Sequence, residues 1–155
     1  MRSSRCGTPE IGSGWQARWA VLAAALWWGS LTTTGFIVVP LLFANLPSAA
    51  LAGQTAAKLF NAQTWIAVAC GVMLMLSSRS QSQSQSRAEG AAGALLFVFA
   101  GLLLALLAEF AVAPRIVARD NLKLWHSVGS GMYLLQWLCA GVVLWKVTAR
   151  SAGPS

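Results

Sequence analysis

Charged residues are scarce in this sequence. Asp, Glu, Lys and Arg make up 10% of its 155 residues, against about a quarter in an ordinary soluble domain. A soluble globule of this length would lack the polar surface to cover itself. Only four residues are acidic and one is histidine, His126, so no second imidazole completes a metal site or a catalytic dyad. The three cysteines, Cys6, Cys70 and Cys139, form no CxxC and neither suggest a disulfide framework nor establish a redox compartment. No nucleophile stands beside a base, and the Ser127–Gly131 run lies within a helical stretch rather than after a strand, where a nucleophile elbow or phosphate loop would need it. These absences lead to the expectation of a protein that is not an enzyme and holds no metal or cofactor.

What is abundant is apolar: 57% of the residues are hydrophobic and the mean hydropathy is +0.63. They fall in long runs. Trp19–Phe43 carries no charge and would be roughly 37 Å long as a helix, enough to span a bilayer with some tilt. That run exceeds the hydrophobic region of a signal peptide, so an uncleaved first helix is expected. Further spans read at about 56–76, where Lys58 can snorkel from the end, at 91–113, and at 124–147. Between the middle two lies a Ser/Gln-rich connector, 77–90, with nothing apolar enough to pack, expected to be disordered. Residues 1–18 and 148–155 read as tails. The fold class is therefore all-α, an integral membrane bundle of four transmembrane helices.

The net charge of +7 suggests nucleic acid only until the cations are placed. They lie in the gaps between apolar runs, as headgroup contacts and topology signals do, rather than on one clustered basic face. The side holding the termini has Arg2, Arg5, Arg18, Arg79, Arg87, Lys146 and Arg150; the other has Lys58, Arg115, Arg119 and Lys123. Positive-inside bias puts both termini in the cytoplasm of a bacterial inner membrane. Trp15, Trp19 and Trp145 flank one interface and Trp125 the other. The lipid bilayer is the expected partner, together with a second copy or another membrane protein; nucleic acid is not.

Phe36-Ile37-Val38-Val39-Pro40 recurs as Phe110-Ala111-Val112-Ala113-Pro114. Each proline removes a donor and deprives the carbonyl of Phe36 or Phe110 of its helical partner, so Pro40 and Pro114 read as helix-end motifs. A duplicated helical hairpin would produce this echo, as would chance in Ala- and Val-rich sequence. Close to Pro114 sits Glu109, the one ionisable group of the third run. An acid within the membrane needs protein or water around it and a partner. One reading is a proton- or cation-handling carboxylate in a polar cluster with Arg115, His126, Asn61 and Gln63. The other is an acid near the headgroups, bonded to the polar turn. His126 reads as a structural anchor, bonding to Glu109 or Asp120 at the start of the fourth span. Ser127, Gly129, Gly131, Gly101, Ala105, Gly29 and Thr33 supply small residues for close helix packing.

Trp28-Gly29, Pro40-Leu41-Leu42-Phe43, Ala52-Gly53, Leu59-Phe60, Pro114 and Trp125-His126-Ser127 follow one another in an order and spacing that carry a family likeness. With them the chain resembles the transmembrane protein 205-like family, the bacterial domain of unknown function 4149. The resemblance covers roughly Ala20 to Trp145 and implies a small four-helix membrane protein with no established activity, cofactor or catalytic residue. The chain is also faintly similar to copper-resistance-type and heme-binding small membrane proteins. Their chemistry would draw on His126 and Glu109, or on the soft groups Cys70, Met73, Met75, Met132 and Cys139, which otherwise read as packing residues. The function expected is a small transport component or a membrane interaction subunit, with a heme- or copper-associated membrane protein as the alternative.

Overall fold

A computed structural model of the chain describes residues 11–79, 85–118 and 121–151, with the side chains of 11–14, 79 and 85–91 excepted. Residues 1–10 of the first tail, 80–84 of the connector, Arg119, Asp120 and residues 152–155 lie outside the described residues. The helices are α1 (Ile11–Thr33), α2 (Val39–Asn45), α3 (Ala49–Arg79), α4 (Gln85–Leu107), α5 (Ala113–Val117) and α6 (Leu122–Ser151). A π turn, Thr34–Val38, joins α1 to α2, and another, Ala108–Val112, joins α4 to α5, so the backbone makes four continuous rods. Each rod is long and apolar enough to cross a bilayer: Trp15–Asn45, Ala49–Ser78, Ala92–Val117 and Leu122–Ser151. The third is the most hydrophobic, with a mean hydropathy of 2.6. Among the described residues there is no strand. This is an all-α, multi-pass membrane bundle.

The helices outrun the apolar cores that announce them. Helix begins at Ile11 inside the expected tail, and residues 77–79 and 85–90 of the expected disordered connector are helical. Serines at the edge of the second span return their hydroxyls to their own helix, Ser77 Oγ to Met73 O and Ser78 Oγ to Leu74 O, both at 2.8 Å. Such bonds keep a polar sequence helical where the bilayer gives way to water. The first connection is the tight Leu46-Pro47-Ser48, where Ser48 Oγ accepts the Leu51 amide at 3.2 Å as an N-cap. Asn121, with φ of 40°, turns the chain into the fourth span in the left-handed region that asparagine tolerates.

Neighbouring spans in sequence pack against each other, and the fourth returns to the first, closing a ring of antiparallel helices. The core is lined by alanine, including Ala20, Ala23, Ala24, Ala67, Ala105 and Ala140, around the wholly buried Trp27, Leu31 and Val143. Small residues suit a bundle in lipid, where close backbone approach replaces hydrophobic drive. At Gly101 the backbone comes close to a core ring, since a Cβ there would stand 2.8 Å from Trp27. The Trp27 indole N–H has no acceptor among the described residues; packing alone holds this ring. Gly29 and Gly131, expected as packing residues, have open space where a Cβ would be, because they fall on the outward face of their helices.

Candidate functional site: two widened turns and an intramembrane polar layer

A proline inside a helix donates no hydrogen bond, and its ring presses on the carbonyl four residues back. At both F-x-V-x-P sequences the chain answers by widening the preceding turn. The residue before each proline reaches back five positions, Val39 N–H to Thr34 O and Ala113 N–H to Ala108 O. This moves the crowded carbonyl aside and lets the helix run on. Pro40 and Pro114 therefore do not end their helices: helix continues to Asn45 and Val117. Turns of this kind concentrate at functional sites.

Both widened turns address the fourth span, at positions one turn apart. Gly35 sits in the first turn, and a Cβ there would collide with the ring of Tyr133. The missing side chain lets the tyrosine lie on the backbone and donate from Oη to Leu31 O at 2.7 Å. At the second turn the roles reverse. Gly129, on the fourth span, faces Val112 and Ile116, with room for a Cβ at 3.4 Å from Val112. Gly129 and Tyr133 are four residues apart on one helix face, so one stretch of α6 is gripped from two sides.

The polar side chains gather at mid-membrane. Gln63, Thr64 and Gln136 are the buried polar residues among those described, and they lie at the centres of the second and fourth spans, opposite Ser30 at the centre of the first. Gln63 Nε2 donates to Ser30 Oγ at 3.0 Å, and Ser30 Oγ donates onward to Trp27 O at 3.0 Å. Gln63 Oε1 faces Thr34 Oγ1 at 3.5 Å. Trp137 Nε1 donates to Thr32 Oγ1 at 2.9 Å, and Thr32 bonds Trp28 O at 2.8 Å. In hydrocarbon an unsatisfied polar group costs several kcal/mol, roughly, so these bonds tie the first span to its two neighbours.

Glu109 belongs to the second widened turn. Counting from the centre of its span, it lies about 7 Å toward the face away from the termini. Asn61 Nδ2 donates to Glu109 Oε1 at 2.6 Å across the seam between the second and third spans. Asn61 is exposed on the bundle exterior and Glu109 half-exposed.

The expected polar cluster thus divides. Asn61 and Glu109 meet. Gln63, two residues from Asn61, points instead into the core toward Ser30, because a step of two on a helix turns the side chain to the other face. Arg115 lies over the Trp125 ring, 4.2 Å from its centroid, a cation–π contact at the interface. His126 is exposed, and among the described residues its side chain has no hydrogen-bond partner; the Glu109 carboxyl is held by Asn61 instead. Asp120, its other expected partner, lies outside the described residues. No three His, Cys, Asp or Glu come together among the described residues. The sequence reading passed over Ser30, Thr32, Thr34, Tyr133, Trp137 and Gln136. The hydroxyl run Ser30-Leu31-Thr32-Thr33-Thr34 in an otherwise apolar helix was the signal available for half of them.

A family model described as Domain of unknown function (DUF4149) matches residues 22–124. That stretch holds both widened turns, Asn61, Gln63 and Glu109, and stops as the fourth span begins. No curated protein and no solved structure matches the chain.

Proposed function

We propose that this chain, which belongs to the DUF4149 family, is a non-enzymatic membrane interaction subunit that pairs with a second copy of itself through the seam between its second and third spans. One observation carries the reading: Asn61 and Glu109 form a 2.6 Å hydrogen bond on the outside of the bundle, at a depth where the surroundings are hydrocarbon. Carboxylates within spans face protein or water rather than lipid. After bonding, Asn61 keeps a carbonyl and one N–H, and Glu109 keeps an oxygen. A seam offering donor and acceptor together is self-complementary, as a two-fold interface requires.

Native mass spectrometry of the full chain released from lipid nanodiscs is the test. The parent is expected as a dimer, Glu109→Gln as a dimer, and Glu109→Leu or Asn61→Leu as monomers of unchanged helicity. A monomeric parent overturns the proposal, as does a Glu109→Leu variant that stays dimeric.

The small transport component is the second reading, and a different feature supports it: the midplane layer of Ser30, Gln63, Thr64 and Gln136. Polar residues at that depth mark ion and substrate paths in other bundles. The heme or copper alternative, on His126 with Glu109 or on the Cys and Met groups, has less behind it: the Glu109 carboxyl is bonded to Asn61, and no three His, Cys, Asp or Glu come together among the described residues. The finer likeness to the transmembrane protein 205-like family, and the bacterial inner membrane with both termini in the cytoplasm, belong to the same proposal. Reporter fusions in the Ser/Gln connector are expected to report cytoplasm and fusions near Asn121 the outside; the opposite pattern reverses the orientation.

A further inference from the structure

On the opposite seam, between the first and fourth spans, the outside of the bundle carries an open groove of about 490 Å³ lined by Trp28, Trp137, Leu138, Gly141, Val142, Trp145 and Lys146. Its floor is pre-formed. Trp28 and Trp137 stack with ring centroids 5.7 Å apart, Phe36 braces Trp137 edge-on at 5.6 Å, and the Trp137 indole is pinned to Thr32. Gly141 supplies the depth, since a Cβ there would come within 3.1 Å of Trp28 Nε1. From Trp137 to Lys146 the groove runs about 14 Å along α6, from mid-membrane toward the terminal face.

Chemistry changes along that length. The deep end is aromatic and aliphatic. The shallow end has Trp145, 77% exposed as an interfacial tryptophan would be, and Lys146. The Lys146 side chain lines the groove while its ammonium leans toward the third span, 5.9 Å from the Phe97 centroid, and has no ion pair among the described residues, so a swing of its flexible stem brings it to the groove mouth; Arg150 follows one turn on, and Arg18 lies on the adjoining helix toward the same face. The described acid Glu109 is on the other half of the bundle, so nothing of opposite sign among the described side chains answers these cations.

We propose that this groove is a binding site for one anionic phospholipid, an acyl chain lying on Trp28 and Trp137 and the headgroup phosphate on Lys146. The volume lies within the roughly 300–1,000 Å³ of small-molecule sites. The order of apolar wall, interfacial tryptophan and cation is the order of a lipid read from chain to headgroup. This site is separate from the Asn61–Glu109 seam and stands or falls apart from it.

Purified full chain in detergent is titrated with phosphatidylglycerol or phosphatidylcholine of identical acyl chains and read by native mass spectrometry. One phosphatidylglycerol per chain is expected, held about five-fold more strongly than phosphatidylcholine, the worth of one lysine near an anionic lipid. Lys146→Gln removes the preference while both lipids still bind; Val142→Phe, which fills the groove, weakens both. Leu138→Phe, from the exposed side of the groove, gives the same reading should Val142→Phe not fold. Equal binding of the two lipids by the parent overturns the proposal, as does a preference that survives Lys146→Gln, or lipid binding undiminished in the folded groove-filling variant. A parent that takes no lipid but dimerises through the groove also overturns it, giving the groove to a second copy.

Discussion

The two widened turns share a sequence and a backbone but not a setting. In the first, Thr34–Val38, the small residue belongs to the turn itself, and Tyr133 reaches across from the fourth span to lie on Gly35 and bond Leu31 O. In the second, Ala108–Val112, the bulk comes from Val112 of the turn and Ile116 of α5, and the fourth span yields with Gly129. Aromatic side chains gather on the inner side of the first turn, Tyr133 with Phe60 edge-on at 5.3 Å among them. The second leaves its polar residue, Glu109, at the bundle's edge with Asn61. A proline thus dictates the same local remedy twice, while the neighbours decide whether the remedy becomes a packing joint or a polar contact.

Breaking the first joint should have the largest effect. Gly35→Val drives a branched side chain into the Tyr133 ring and is expected to cost on the order of 1–3 kcal/mol or more, as overpacking does, with a clear fall in Tm in detergent and loss of the well-folded fraction. If Gly35→Val melts like the parent, the tyrosine does not lie on this turn. Tyr133→Phe keeps the ring and removes the Leu31 bond, so a loss of about 1 kcal/mol is expected by the same melting measurement. No loss at all would mean that Leu31 O finds another donor.

The second turn should be more forgiving of shape and more sensitive to polarity. Glu109→Gln preserves an acceptor for Asn61 and is expected to shift stability by less than about 1 kcal/mol. Glu109→Leu leaves Asn61 without its partner and, on the proposed dimer, is expected to act on association more than on the fold. Smallest of all is Gly129→Ala, where the added methyl meets Val112 at ordinary contact distance, 3.4 Å; a Tm within a degree or two of the parent is expected. A large drop there would make the two turns alike and remove the contrast between them.

Much of this was legible from residue order. Apolar runs of about twenty residues leave few choices in lipid, because each buried N–H and C=O must bond within its own segment. The four spans and the importance of Pro40 and Pro114 follow from that. Their consequence was misjudged: a missing donor suggests a helix end, whereas the backbone absorbs it in a five-residue step, and choosing between the two needs the packing on either side. The polar cluster was half legible. Asn61 and Glu109 lie on adjacent helices toward the same face, as depth counting implies, but whether Gln63 joins them depends on helix rotation, and rotation is set by side-chain fit.

Sequence alone determined that this chain is helical, that it spans the membrane four times and where its backbone would be strained, since hydropathy and proline chemistry act on each segment independently. Only tertiary structure decided which residues meet: Tyr133 on Gly35, Gln63 on Ser30, Asn61 on Glu109, and an aromatic groove between the first span and the last. Contacts between helices depend on rotation and close approach at particular small residues, and those are properties of the assembled bundle rather than of any one segment.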